Sequence, residues 1–313
     1  MSKIKIIYVV GPTASGKTGL GIDLALKLGG EIVSADSMQI YKGMSIASAA
    51  PTVEERAKVR HHLIEFLSFE DSFTVAHYIQ AAKKAIADIH SRGKIPIVVG
   101  GTGLYINSLV DNIIFADFKT DFELRKKLED EMETVGADAM LSRLYEIDPE
   151  TAQKLHSNDR RRIIRAFEIY YGCGMTKHQQ DVLSKSEESP YDAVMIGINY
   201  RDREKLYERI NKRVEKMIEE GLLSEAKAAY NRNIKHTSGA VQAIGHKELF
   251  KYFMGEKSLE ECIENLKRSS RRYAKRQITW FSKDPRINWI YPDECDDISA
   301  QALEFIQKGV NGR

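Results

Sequence analysis

Apolar positions follow two different rhythms along this chain. Ile4-Lys5-Ile6-Ile7-Tyr8-Val9-Val10 is a nearly continuous apolar run, and Ile95-Pro96-Ile97-Val98-Val99 is a second. Runs this short and this rich in branched residues predict strands buried on both faces. Glu31-Ile32-Val33-Ser34-Ala35 predicts a strand ending at Asp36, and Tyr191–Ile198 predicts another. Helical spacing marks Lys17–Leu28 and Thr74–Arg92, with a loop around Tyr41-Lys42-Gly43. Strands alternating with helices imply an α/β fold on a parallel sheet, whose ligands gather at the carboxyl ends of the strands.

Between about residues 114 and 190 the rhythm changes to helix after helix with charged faces. Asp121 can cap one helix, Asp148-Pro149 can open a second, and Asn158 or Asp159 a third. The expected organisation is a core from 1 to 113, a helical insertion domain from 114 to 190, and a mostly helical second part of the core from 191 to 313. Within that last part, helices are expected over Asp202–Glu220, Leu222–Asn231, Ala240–Met254 and Ser258–Lys283. A short strand at Asn288–Tyr291 and a terminal helix follow.

The first strand runs straight into Gly11-Pro12-Thr13-Ala14-Ser15-Gly16-Lys17-Thr18, a complete phosphate-binding loop. Its glycines let the backbone curl so that successive N–H groups point at phosphate oxygens, Lys17 adds a point charge, and Thr18 can place a hydroxyl on magnesium. Asp36, at the end of the next strand in sequence, suits a magnesium ligand or a general base; its plainer reading is a turn cap. Gly100-Gly101-Thr102 is a glycine-rich strand exit where N–H groups and a hydroxyl can meet substrate. The acidic strand end that many motor-type ATPases carry there is absent.

Two basic segments complete the chemistry. Arg160-Arg161-Arg162 with Arg165 opens a predicted helix, where the helix dipole disfavours cations and a polyanion would compensate. Lys267–Arg276 carries six cations in ten positions and leads through Gln277 to Thr279-Trp280-Phe281, a mixture suited to single-stranded or looped RNA. Either run can equally be a solvated helix face. Arg201, Arg203, Arg209 and Arg213 are candidates for a clamp on phosphates. Adjacent His61 and His62 point apart and lack a third ligand, so a structural role is expected, and Tyr78, Tyr207, Tyr230 and Phe250 read as packing.

Composition narrows the classes. A chain of 313 residues with a formal charge of +2 announces no nucleic-acid binder globally, so any such role rests on local clusters. The three cysteines, Cys173, Cys262 and Cys295, are far apart and odd in number, which reads as free thiols in a reducing compartment. No stretch approaches the length of a membrane span, and a cytoplasmic protein is expected. On the residues alone, a small-molecule kinase and a nucleotide-gated RNA-binding protein both remain open.

Taken together, Gly11–Thr18, Asp36–Met44, Gly100–Tyr105, Asn158–Arg165 and Arg271–Gln277 closely resemble the bacterial tRNA dimethylallyltransferases, in matching order from about Ile4 to Trp289. The resemblance implies a P-loop NTPase-like parallel sheet core whose loop, Gly11 to Thr18, holds the pyrophosphate of dimethylallyl diphosphate rather than a nucleotide. It implies attack by N6 of the adenosine 3′ of the anticodon, in tRNAs reading codons that begin with U. Asp36 would take the N6 proton, Thr18 and Asp36 would serve Mg2+, Arg213 would stabilise the leaving pyrophosphate, and Thr102 would be a further catalytic residue. Ser37, Met38, Gln39 and Thr102 would line the adenine pocket. Arg125, Arg161, Arg162, Ile163, Ile164 and Arg165, with Gln242, Ala243, Ile244, Gly245, His246 and Lys247, would hold the tRNA anticodon stem-loop. A monomer is expected. The chain departs from the family pattern at Ser45–Pro51, where Asp-Ile-Gly-Thr-Ala-Lys-Pro is usual, at Cys173-Gly174-Met175 and at His246.

Overall fold

A computed structural model describes residues 3–115, 121–232 and 243–311. The chain forms β1 (Ile4–Val10), α1 (Lys17–Leu28), β2 (Gly30–Ser34), α2 (Val53–Lys58), β3 (His61–His62), α3 (Val75–Ser91), β4 (Ile95–Gly100) and α4 (Gly103–Val110). Five helices follow: α5 (Phe122–Val135), α6 (Ala137–Ile147), α7 (Pro149–Ala152), α8 (Arg160–Cys173) and α9 (Lys177–Leu183). The remainder is β5 (Tyr191–Ile198), α10 (Arg203–Glu219), α11 (Leu222–Asn231), α12 (His246–Phe253), α13 (Leu259–Phe281), β6 (Ile287–Ile290) and α14 (Ile298–Asn311). Two compact units result, one from residues 111–189 and one from the rest.

The larger unit is built on six parallel strands in the order β3-β2-β4-β1-β5-β6. Ile6 to Val10 are all fully buried, as a strand covered on both faces requires. Ile7, Val9, Ile32, Ile97 and Ile196 pack with Leu20 and Leu24 of α1 and with Ala302 and Ile306 of α14. The register sets Val10 beside Gly100 and Ser34 beside Val99, so β1, β2 and β4 end at one level. Beyond the strands the exits stay tied: Ala35 N–H donates to Val99 O (2.8 Å) and Thr102 N–H to Ala35 O (3.1 Å).

At the opposite end of β2, buried Glu31 accepts two hydrogen bonds from Arg92 (2.5 and 2.7 Å) and one from Lys94 (2.8 Å), and meets His62 Nε2 at 2.8 Å. The histidine pair therefore forms the edge strand β3 and secures it, in keeping with the structural role expected. Arg92, followed by Lys94 and His62, holds the Glu31 carboxyl well below the usual carboxylate range, against the opposing effect of burial.

The smaller unit has its own core of Leu128, Met132, Met140, Leu144, Ile163, Ile164 and Phe167. Asp121 Oδ1 caps α5 at Glu123 and Leu124 N–H. Asp148 caps α7 at Thr151 N–H through one oxygen and accepts from His178 N–H with the other, joining α7 to the start of α9. Arg143 pairs with Glu131 and lies 4.6 Å from the Phe167 ring centroid.

Three local expectations change. Ala240–Met254 is not one helix: α12 begins at His246 because Gly245, at φ 113°, turns the backbone out of the helical range just before it. Residues 240–242 lie outside the described residues. The last strand starts one residue earlier than its apolar pattern suggested, at Ile287. Helix α2, whose Thr52 and Glu55 form a reciprocal capping box, was legible in that spacing but not anticipated.

Replacing Glu31 by Ala leaves Arg92 and Lys94 facing each other without their shared acceptor. It should lower unfolding stability by about 2 kcal/mol in urea titrations near neutral pH, below the cost of breaking a fully buried pair because both cations are partly exposed. Since the folded-state pKa is depressed, that difference should hold down to pH 5 and shrink below about pH 4.3, where the unfolded carboxylate protonates.

Candidate functional site

All of the site described here lies in the larger unit. The loop after β1 closes on Gly16, at φ 103°, which a side chain would strain, and α1 starts immediately with Lys17. Gly16 makes no side-chain cap and no acidic residue sits in the first turn of α1. Its N–H groups and positive dipole end are thus left to attract an anion. Thr13, Lys17 and Thr18 line a cavity of about 280 Å³, while Gly11, Pro12, Ala14, Ser15 and Gly16 shape the loop behind them. Lys17 Nζ donates to Pro12 O at 2.5 Å.

Asp36 enters the same cavity from the end of β2. Its Oδ1 accepts from Met38 N–H (2.8 Å) and Gln39 N–H (3.4 Å), so it is a turn cap as well as a site carboxylate. No described residue hydrogen-bonds Oδ2. Arg213 reaches in from α10. The crowding of Lys17 by surrounding protein and then by Arg213 brings its ammonium down to about 7, with Asp36 opposing. Burial also lowers Arg213, and Asp36 again opposes. Around the cavity, Lys17, Arg213, Lys247 and Arg276 face a single carboxylate, Asp36. A site so loaded attracts polyanions. Ile32, Val99, Val214, Met217 and Leu266 supply an apolar wall.

The arginines that the sequence left equivalent are now distinct. Arg209 Nε donates to Ala14 O (3.0 Å) and props the loop, and Arg201 pairs with Glu294 and stacks 3.7 Å over Tyr291. Only Arg213 of that set lines the cavity. Ser37, Met38 and Gln39 also line it, but Gln39 is committed: it accepts from Ser34 Oγ (2.8 Å) and donates to Ala49 O (3.2 Å). Thr102 does not line the cavity; its Oγ1 accepts from Ser37 N–H at 3.1 Å and fixes the turn behind Asp36.

The basic helix α13 divides by face. Arg268, Arg272 and Lys275 are exposed and away from the cavity, Arg276 stands at its rim, and Tyr273 and Gln277, one helical turn apart, turn inward to it. Gln277 is the residue that sequence reasoning passed over. Its Oε1 accepts from Thr13 N–H (2.8 Å) and its Nε2 donates to Gly101 O (2.9 Å), so one amide bridges the phosphate loop to the exit of β4. A Cβ on Gly101 would collide with that amide. Burial, then the Asp36 charge, pushes the Tyr273 phenol up, so it stays neutral beside the carboxylate.

The anticipated RNA-contact residues are mixed. Ile163 and Ile164 are core residues of the smaller unit, 0 % and 5 % exposed, so their side chains cannot grip RNA; the apolar pair that follows the arginines on α8 is its packing face. Arg125 and Arg165 both bind buried Glu168 (3.2 Å each), which needs their charge. Arg161 and Arg162 are exposed. Ala243 and His246 are buried, so neither offers a surface contact, while Ile244 and Lys247 join Ala243 in lining the cavity beside Gly245. Gln242 lies outside the described residues. Among the described residues, no group of three or more His, Cys, Asp or Glu forms a metal cluster, and Cys173, Cys262 and Cys295 are free thiols.

Comparison with known proteins gives the family. The sequence model of the family described as IPP transferase matches residues 39–284. The chain belongs to the IPP transferase family. A tRNA dimethylallyltransferase of Caldanaerobacter subterraneus is 47% identical over 296 residues, covering 93% of this chain and 93% of that protein. One from Acetivibrio thermocellus is also 47% identical, over 293 residues with the same coverage. A crystal structure of the tRNA isopentenylpyrophosphate transferase of Bacillus halodurans superposes with a TM-score of 0.73 at 42% identity, covering 99% of this chain and 98% of that one. A eukaryotic dimethylallyltransferase acting on tRNA superposes at 0.80 with 30% identity, covering 99% and 80%. The IPP transferase core is thus a P-loop NTPase-like sheet.

Gln277→Ala removes both halves of the bridge and leaves the Thr13 N–H and Gly101 C=O unpaired. It should cost about 2 kcal/mol of stability, read as a lowered urea midpoint at unchanged slope.

Proposed function

We propose that this protein transfers a dimethylallyl group from dimethylallyl diphosphate to N6 of the adenosine 3′ of the anticodon, in tRNAs reading codons that begin with U, and releases pyrophosphate. The observation that carries the reading is one cavity that joins a phosphate loop and four cations to a carboxylate and an apolar wall. A prenyl diphosphate has those two halves.

In the reaction the N6 lone pair forms a bond to the first prenyl carbon as that carbon's bond to the diphosphate oxygen breaks. Asp36, with Oδ1 held by backbone amides and Oδ2 open, takes the N6 proton. Negative charge gathers on the departing pyrophosphate, where Lys17, Arg213 and the N–H groups at the start of α1 are fixed in advance. Thr102 acts through the backbone of Ser37, holding the turn against which the base lies. The oxygens of Thr18 and Asp36, with the buried and unpartnered Ser15 Oγ nearby in the loop, fit a hard cation that takes few protein ligands, as Mg2+ does. Bound magnesium would neutralise diphosphate charge. A base must leave its stack to reach Asp36, and the anticodon stem-loop presents such a base. Exposed Arg161, Arg162, Arg268, Arg272 and Lys275 suit its phosphates. No described helix is long and apolar enough to cross a membrane. We infer a cytoplasmic monomer.

Incubation with unmodified tRNA, magnesium and either labelled dimethylallyl diphosphate or labelled ATP decides among the candidates. Label is expected in tRNA from the prenyl donor alone; phosphate moving from ATP to a small molecule would establish a kinase instead. Asp36→Ala should lower turnover by about 100-fold or more while pyrophosphate still binds, and near-normal turnover would remove Asp36 from the mechanism.

Pyrophosphate binding favours charged Lys17, whose pKa in the free protein is about 7. The affinity advantage of wild type over Lys17→Met, measured by calorimetry, should therefore be largest at pH 6 and shrink as pH rises toward 9.

A further inference from the structure

Part of the cavity wall is made by a segment with little regular structure. Residues 44–50 turn on themselves through Ser48 N–H to Met44 O (3.0 Å), Ala49 N–H to Ile46 O (3.0 Å) and Ala50 N–H to Ser45 O (2.9 Å), and Ala49 sits at φ 43°. Local bonds of this kind do not fix where the turn lies against the sheet. Yet Ala47, Ser48 and Ala49 all face the cavity. Ile46, Ala47 and Ala49 pack on the cluster that contains Val214, Met217 and Leu266, the apolar wall itself.

The segment is anchored from a distance. Glu225, on α11, accepts from Ile46 N–H through Oε2 and from Ala47 N–H through Oε1, each at 2.9 Å. His246 Nε2 lies 3.1 Å from Oε1, and the imidazole is fully buried between Phe69 and Phe250, with centroids at 6.2 and 6.3 Å. Its Nδ1 is buried without a partner, so the ring's polar contact is spent on Glu225. Glu225 does not line the cavity. An acceptor-only carboxylate is the group that can serve these donors at once.

We propose that Glu225, oriented by His246, is a positioning residue that sets how long a prenyl chain the donor can carry. It does so by pinning the 46–49 backbone and hence the depth of the apolar wall. This rests on the prenyl-donor reading given above. Glu225→Gln is nearly the same shape but must turn an NH2 toward one of the N–H donors, which frees the segment and opens the wall.

The test compares wild type and Glu225→Gln with tRNA and two donors, dimethylallyl diphosphate and its ten-carbon homologue geranyl diphosphate. For the variant, KM for the five-carbon donor should rise about tenfold while kcat stays within about threefold, and the ten-carbon to five-carbon ratio of kcat/KM should rise at least about fivefold. His246→Phe keeps a ring between Phe69 and Phe250 but withdraws the bond to Glu225. It should move the ratio the same way by a smaller factor, and it carries the test if Glu225→Gln does not fold. A ratio unchanged from wild type in the folded variants, or a fall in kcat equal for both donors, overturns the proposal. Wild type that prenylates no tRNA overturns the donor reading instead.

Discussion

Positive charge in excess is the constraint around which this site is organised. Lys17, Arg213, Lys247 and Arg276 look into one cavity, the start of α1 adds its dipole, and Asp36 alone answers them. Burial first, and then the Arg213 charge, depresses the Lys17 pKa. A polyanion bound there would relieve the excess of positive charge. Asp36 gains a fixed orientation from the Met38 and Gln39 amides.

That arrangement depends on three strand exits meeting at one height. Parallel pairing of β1, β2 and β4 delivers the phosphate loop, Asp36 and Gly100-Gly101 side by side. Short ties then lock them: Ala35 to Val99, Thr102 to Ala35, and Gln277 across to Thr13 and Gly101. Hydrogen bonds of about 1 kcal/mol net each add little to a fold of this size, but a site tolerates only small displacements of its reacting groups, so their geometric effect outweighs their energy.

Away from these exits, paired charge does a different task. Glu31 collects Arg92, Lys94 and His62 at the far end of the sheet, and Glu168 collects Arg125 and Arg165 inside the smaller unit. Both carboxylates are 2 % exposed and need cations for that reason alone. Arg125 and Arg165, which look like RNA ligands in sequence, are therefore paired with a buried carboxylate.

The phosphate loop, the alternating strands and helices, the all-helical insertion and Asp36 at a strand end could be read from the chain, because each is set by contiguous residues and local periodicity. Family membership was legible in the order of those motifs. Periodicity also put Tyr273 and Gln277 on a helix, but it could not say that they face inward while Arg268 and Arg272 face out. It could not choose Arg213 over Arg209, or show that Ile163 and Ile164 are core. Gln277 touches Thr13 across 264 positions and Glu225 touches Ile46 across 179. Contacts of that span arise only when the sheet closes and brings distant backbone within hydrogen-bonding distance, so the tertiary structure alone decided them.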